Sequence, residues 1–332
     1  MRVPFAVLLV LLAPFAAGRT PAAQPLLRRT IPLPGVHGRI GHLAYDPATQ
    51  RLFVAAYGNG SLEVVDLAAG RRTASVSGLK HPRGITVVPD TGLAIVACAG
   101  DGTVRAYDAR TLEEKSARSA GRNAEHVLFN DRTGQLLVGY GSGGLMILQP
   151  RSLNQVDQVA LRGHPASFQL DPESSRVFIN VPGNWLFGGG RVVVANLDSR
   201  QVINTWELKG VGLNYPMAYD AGRERLYIVC RRPARLVTID ANTGQTVSTA
   251  ECAGDADDMF LDPDTHRLYV IGGAGQTDVF DCSEPSCTET ASLETAPGAR
   301  TGLLLPERRS LYIAVPSRMG QSAEIREYAL IQ

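Results

Sequence analysis

Residues 42–66 read His42-Leu43-Ala44-Tyr45-Asp46-Pro47, then Leu52-Phe53-Val54-Ala55 after a short turn, then Gly58-Asn59-Gly60, then Leu62-Glu63-Val64-Val65-Asp66. An apolar strand ends in an Asp-Pro turn, a second strand restarts, a tight turn follows, and a third strand ends in aspartate. Asn-Gly between two apolar runs is the strongest short hairpin signal, because both central residues of the favoured turn need positive φ. The hairpin also accounts fully for the glycosylation-type triplet Asn59-Gly60-Ser61.

The same grammar recurs down the chain. Aligned on the first apolar residue of the second strand, the copies fall at Leu52, Leu93, Leu136, Val177, Leu226, Leu268 and Leu311. A period of roughly forty residues, four short strands per unit, predicts an all-β fold: a seven-bladed β-propeller with four-stranded blades. The seventh unit stops after its third strand, within residues 323–331, while residues 25–34 resemble a fourth strand with no unit of their own. An N-terminal strand completing the last blade would close the ring and remove an open sheet edge.

Several first turns, Tyr45-Asp46-Pro47, Leu170-Asp171-Pro172 and Leu261-Asp262-Pro263-Asp264-Thr265, precede strands such as Arg267-Leu268-Tyr269-Val270. Third strands such as 62–66, 104–108 and 236–240 end in aspartate, and Asn242-Thr243-Gly244 follows the last of these. On these residues the chain resembles the YVTN-type β-propeller repeat family and exported YncE-like proteins. The resemblance implies the seven-bladed scaffold and no particular chemistry. Trp-Asp and Gly-His dipeptides do not repeat, which disfavours WD40 repeats.

Composition narrows the partners. The 33 basic and 32 acidic residues nearly cancel, so no global field steers the protein to nucleic acid, and the balance disfavours it as a partner. Arg231, Arg232 and Arg235 form the densest basic cluster and read as a solvated loop. Residues 1–23 read as a secretory signal peptide cleaved after Gly18 or Ala23, which predicts a periplasmic or secreted protein, with residues 24–332 as one domain and no transmembrane segment. An oxidising compartment makes cysteine spacing informative. Cys282 and Cys287 flank a hairpin turn and are expected to form a disulfide, while Cys98 and Cys230 read as small buried hydrophobes and Cys252 is left open.

Familiar catalytic signatures fail on context. Gly139-Tyr140-Gly141-Ser142-Gly143-Gly144 fits the dinucleotide fingerprint as text, but a strand, not a helix, follows it. The glycines therefore serve a turn. No nucleophile elbow, His-Glu-x-x-His pair or Cys/His zinc spacing occurs.

Register, by contrast, gathers polar residues. In a propeller the starts of the innermost strands and the second-to-third strand loops crowd one face around the channel. Counting back from the hydrophobe before each first turn places His42, Glu125, His126, Tyr215, Asp257 and Asp258 at that rim, with Arg83, His164 and Arg300 beside them. His81 falls there too. An insertion in unit four puts Trp185 and Phe187 above the same face. We expect a binding or scaffold protein, monomeric, that uses this mouth for a small polar ligand or a partner protein. No cofactor is firmly implied; a divalent ion held by His42, His126 and Asp258 is the weak metal candidate, and with it a lactonase-like hydrolase or lyase is the alternative.

Overall fold

The structure, a computed structural model, describes residues 24–141, 143–183 and 189–331; the expected leader, Ser142, Trp185 and Phe187 lie outside the described residues. Seven antiparallel four-stranded sheets follow one another. Their innermost strands are Leu43–Asp46, Pro82–Val88, His126–Asn130, Phe168–Leu170, Gly212–Asp220, Ala256–Asp262 and Thr301–Leu305. The seven apolar residues used to align the units all lie in second strands and all are buried. Blade-to-blade packing explains that burial. Each sheet is apolar on both faces and each core cluster draws on two neighbouring blades, as where Ala44 and Phe53 of blade 1 meet Ile85 and Val96 of blade 2.

Closure is as the sequence predicts. In blade 7 the strand Leu26–Pro32 pairs antiparallel with Glu324–Ala329, and the sheet order runs from the N-terminal strand inward through the last three strands of the chain. Arg29 lies opposite Glu327 in that ladder, and its Nε and Nη2 both reach Glu327 Oε2, at 3.0 and 2.6 Å. Nη2 also donates to the Leu67 carbonyl of blade 1 at 3.0 Å, so one side chain ties the closing strand to the next blade.

The tempting glycine run is the hairpin between Gln135–Tyr140 and Gly144–Leu148, with Gly143 at φ 99°. Cys282 and Cys287 are bonded across the turn that opens the outermost strand of blade 6. Cys98, Cys230 and Cys252 are free thiols, the first two buried. Among the described residues no helix is long and apolar enough to cross a membrane.

Candidate functional site

Register becomes geometry at the channel mouth. A cavity of about 380 Å³ is lined by the innermost strands of all seven blades, from His42 and Arg83 at its polar end to Tyr45, Val87 and Leu305 further along. In three blades the polar end is built by irregular pairing. The ladders shift between Pro82 and Gly84, between Asn214 and Met217, and between Ala256 and Asp258. An extra residue in one strand of a pair re-aims its side chain, and the residues inside these shifts include Arg83, Tyr215 and Asp257. Glycine lets the neighbouring strands approach. A Cβ on Gly84 would stand 2.4 Å from the Glu125 carbonyl oxygen of the next blade, and one on Gly41 would stand 2.7 Å from that of Arg83.

One wing of the mouth is an ion-pair web across blades 5, 6, 7 and the segment entering blade 1. Asp257, buried, accepts from Arg39 through one carboxylate oxygen and from Arg231 through the other. Asp255 is shared between Arg231, at 3.2 Å, and Arg300, at 2.6 Å. Burial alone would raise Asp257, but the charges of Arg231 and Arg39 outweigh it and hold the carboxyl down at about 2. Arg300 is pushed below the ordinary guanidinium range, chiefly by burial, with Arg39 and Arg231 adding like-charge repulsion against the pull of Asp255 and Asp257. Tyr215 lies under the Arg231 guanidinium, 4.3 Å from ring centroid to carbon.

The opposite wing is smaller. Arg83 Nη1 donates to Glu125 Oε1 at 2.7 Å, and His164 Nε2 stands 2.9 Å from Glu125 Oε2. Burial pushes Glu125 up, yet the His164 hydrogen bond and the Arg83 charge together leave it below the usual carboxylate range. His126 rather than Glu125 lines the cavity. Its ring packs edge-on against Phe168 at 4.7 Å and against His42 at 5.8 Å, and its buried Nε2 has no hydrogen-bond partner. Burial first, then the neighbouring His42 and Arg83, force this imidazole down to about 3, so it is neutral.

Between the wings stands His42. Its Nδ1 is 2.9 Å from Asp258 Oδ1, and Asp258 Oδ2 accepts the Gly302 backbone N–H at 2.9 Å. A carboxylate only accepts, so Nδ1 carries the hydrogen and Nε2 is left facing the cavity. Burial pulls the His42 imidazole down, but the Asp258 carboxylate more than offsets this and raises its pKa. A carboxylate that fixes the tautomer of a histidine is the arrangement that prepares the far nitrogen to take or give a proton.

Of the residues expected at the mouth, His42, Arg83, His126, Tyr215, Asp257 and Asp258 line the cavity, while Glu125, His164 and Arg300 stand behind it as partners. Trp185 lies outside the described residues. His81 does not line the cavity; it is stacked on Tyr57, 4.6 Å between centroids. His42, His126 and Asp258 come together, His42 on Asp258 at 2.9 Å and His126 edge-on against His42 at 5.8 Å. Among the described residues no group of three or more His, Cys, Asp or Glu side chains is arranged to hold an ion. Of the arginine cluster, Arg231 departs from the solvated reading by turning inward to the web, while Arg232 is exposed and Arg235 makes a surface pair with Glu251 at 2.8 Å. Sequence reasoning missed Arg39 and Asp255. Asp255 had a signal, since it opens the acidic run Asp255-Ala256-Asp257-Asp258; in the structure it sits at φ 59°, an uncommon conformation for a residue with a side chain.

With the ring and its mouth in view, the protein falls into the class of seven-bladed β-propellers. No family model matches the sequence, and no curated protein matches it. Among solved structures, one of hydrazine synthase from Kuenenia stuttgartiensis is similar with a TM-score of 0.77 at 14% identity, covering 89% of this chain and 98% of that one. A chain of a mitotic checkpoint complex is similar with a TM-score of 0.76 at 14% identity, covering 100% of this chain and 99% of that one. At such identity the likeness is one of fold.

Proposed function

We propose that this is an exported binding protein, periplasmic or secreted, whose channel mouth receives a small ligand carrying a polar group. The observation that supports this reading most directly is a cavity to which all seven innermost strands contribute, polar at one end and mostly apolar along its length. Concave sites with an apolar wall and a few convergent polar groups are the ordinary form of small-molecule sites. The resemblance to YVTN-type repeats agrees with a scaffold that carries its specificity at the rim. A leader at residues 1–23 and a monomeric ring belong to the same proposal.

The test is a plug. Leu128 lines the shaft and is half-buried, so Leu128→Trp fills it from one blade. Native mass spectrometry of protein purified from its own cell envelope should show a small molecule on the unmodified ring and none on the plugged one. Equal occupancy of both would place the ligand elsewhere and end this reading.

A second reading is favoured by one feature, the His42–Asp258 pair. An oriented imidazole facing a cavity, with Arg83 beside it, suits proton abstraction from a bound molecule and stabilisation of the resulting anion, the chemistry of a lyase. Turnover lost in His42→Gln while ligand capture persists would distinguish this from binding alone.

A further inference from the structure

We propose that the ligand of the channel mouth is an amphipathic monocarboxylate, its carboxylate on the open edge of Arg83 and on His42 and its hydrocarbon body along the shaft; this rests on the small-ligand reading above. Three observations carry it.

The first is the unused half of Arg83. Among the described residues only its Nη1 has an acceptor, Glu125. Nε and Nη2 have none and are not sealed away as buried orphans. Those two N–H groups form the planar side-on fork of a guanidinium, which matches the two oxygens of one carboxylate and engages a neutral amide or hydroxyl less well. His42 is its neighbour, because the His42 backbone N–H donates to the Arg83 carbonyl at 2.8 Å.

The second is the charge of the mouth. Arg39, Arg231 and Arg300 share only Asp255 and Asp257, so that wing has one more cation than anions. Arg83 and Glu125 cancel. Both oxygens of Asp257 and both of Asp258 are already accepting. Asp258 brings the count to four arginines against four carboxylates, so the mouth turns positive when His42 is protonated on both nitrogens, the state its Asp258 contact favours and the one in which Nε2 donates to an anion.

The third is the shaft. Beyond the collar the half-buried lining is mostly apolar, Val87, Leu128, Phe260 and Leu303, with Tyr45, Thr86 and Gln169 as its polar members. The Gln169 amide already donates to the Met217 carbonyl at 3.0 Å and the Tyr45 hydroxyl accepts from Arg308 at 3.4 Å, while an alkyl or aryl body removes the four apolar side chains from water at about 25 cal/mol for each Å² buried.

Isothermal titration of the unmodified mature protein near neutral pH with hexanoate, octanoate and phenylacetate, each beside its primary amide, tests the proposal without a mutation. The acids should bind, octanoate more tightly than hexanoate, and each amide should bind about tenfold to a hundredfold more weakly, the worth of a charge-assisted hydrogen bond. In the paired variant Arg83→Gln with Glu125→Gln, which keeps a neutral contact between the two blades, the acid should lose that advantage, its affinity falling to that of the amide on the same variant. Amides binding as tightly as acids would overturn the carboxylate and leave the small-ligand site standing. Acids and amides both failing to bind, or binding equally to the Leu128→Trp plug, would overturn both.

Discussion

His42 and Asp258 stand 2.9 Å apart, Nδ1 to Oδ1, although 216 residues separate them in the chain. They belong to blades 1 and 6, and blade 7, through the Gly302 N–H, holds the carboxylate between them. The contact therefore exists only once the ring is closed. Because the folded state raises the His42 pKa, its stabilising contribution is complete below the ordinary value of 6.5 and is lost as pH rises through the raised folded value. Asp258→Asn should therefore cost more melting temperature near pH 5.5 than near pH 9, in a scan of about one-unit steps. A cost that is the same at both ends would mean that the charge on His42 contributes nothing.

His126 works in the opposite direction. Its folded pKa lies at about 3 against an ordinary 6.5, so the unfolded chain binds the proton first and stability falls as pH drops through that interval. His126→Phe, which preserves the aromatic contact with Phe168, should flatten the melting profile between those two values. Asp257, held at about 2, contributes its loss only below its ordinary 3.8, so the two windows barely overlap. An unaltered acid limb in His126→Phe would assign the acid sensitivity to the carboxylates instead.

Ring closure gives a third prediction. Glu327 is buried and Arg29 is about one-third exposed, so removing the carboxylate strands a cation that still reaches some water. Glu327→Ala should cost about 2 kcal/mol by denaturant melting, below the usual figure for a fully buried pair. Deleting the residues before Gly35 removes the whole closing strand and should collapse the transition far more than that. Truncated protein that melts like the intact mature chain would show that the ring does not depend on this strand.

Far from the mouth, Cys282 and Cys287 close a loop only five residues apart in sequence. Loop-closure entropy puts the worth of so short a bridge at about 2 kcal/mol. The double alanine variant should lose roughly that much stability and leave octanoate binding unchanged.

Much of this was legible in the sequence because a repeat is a coordinate system. Leu52 and Leu311 announced equivalent strands, and the count from Tyr45 and Leu261 placed His42 and Asp258 at one rim before any contact was known. What register could not supply was direction. Glu125 and His126 are consecutive, and which of them faces the channel depends on where the strand pairing starts. Arg83, Tyr215 and Asp257 are re-aimed by ladder shifts that have no sequence signature of their own. Arg39 was missed because it precedes the first strand and acts across the ring on a residue 218 positions away.

The closing strand also orders events in time. Residues 26–32 are made long before their partners at 324–329, so blade 7 stays an unfinished three-stranded sheet until that earlier strand returns to it. Until residues 324–329 are made, the strand at 26–32 has no ladder to join and its edge stays open. The His42–Asp258 contact, and with it the assembled pocket, comes into being in that final step, so a partly made chain has no competent site to expose.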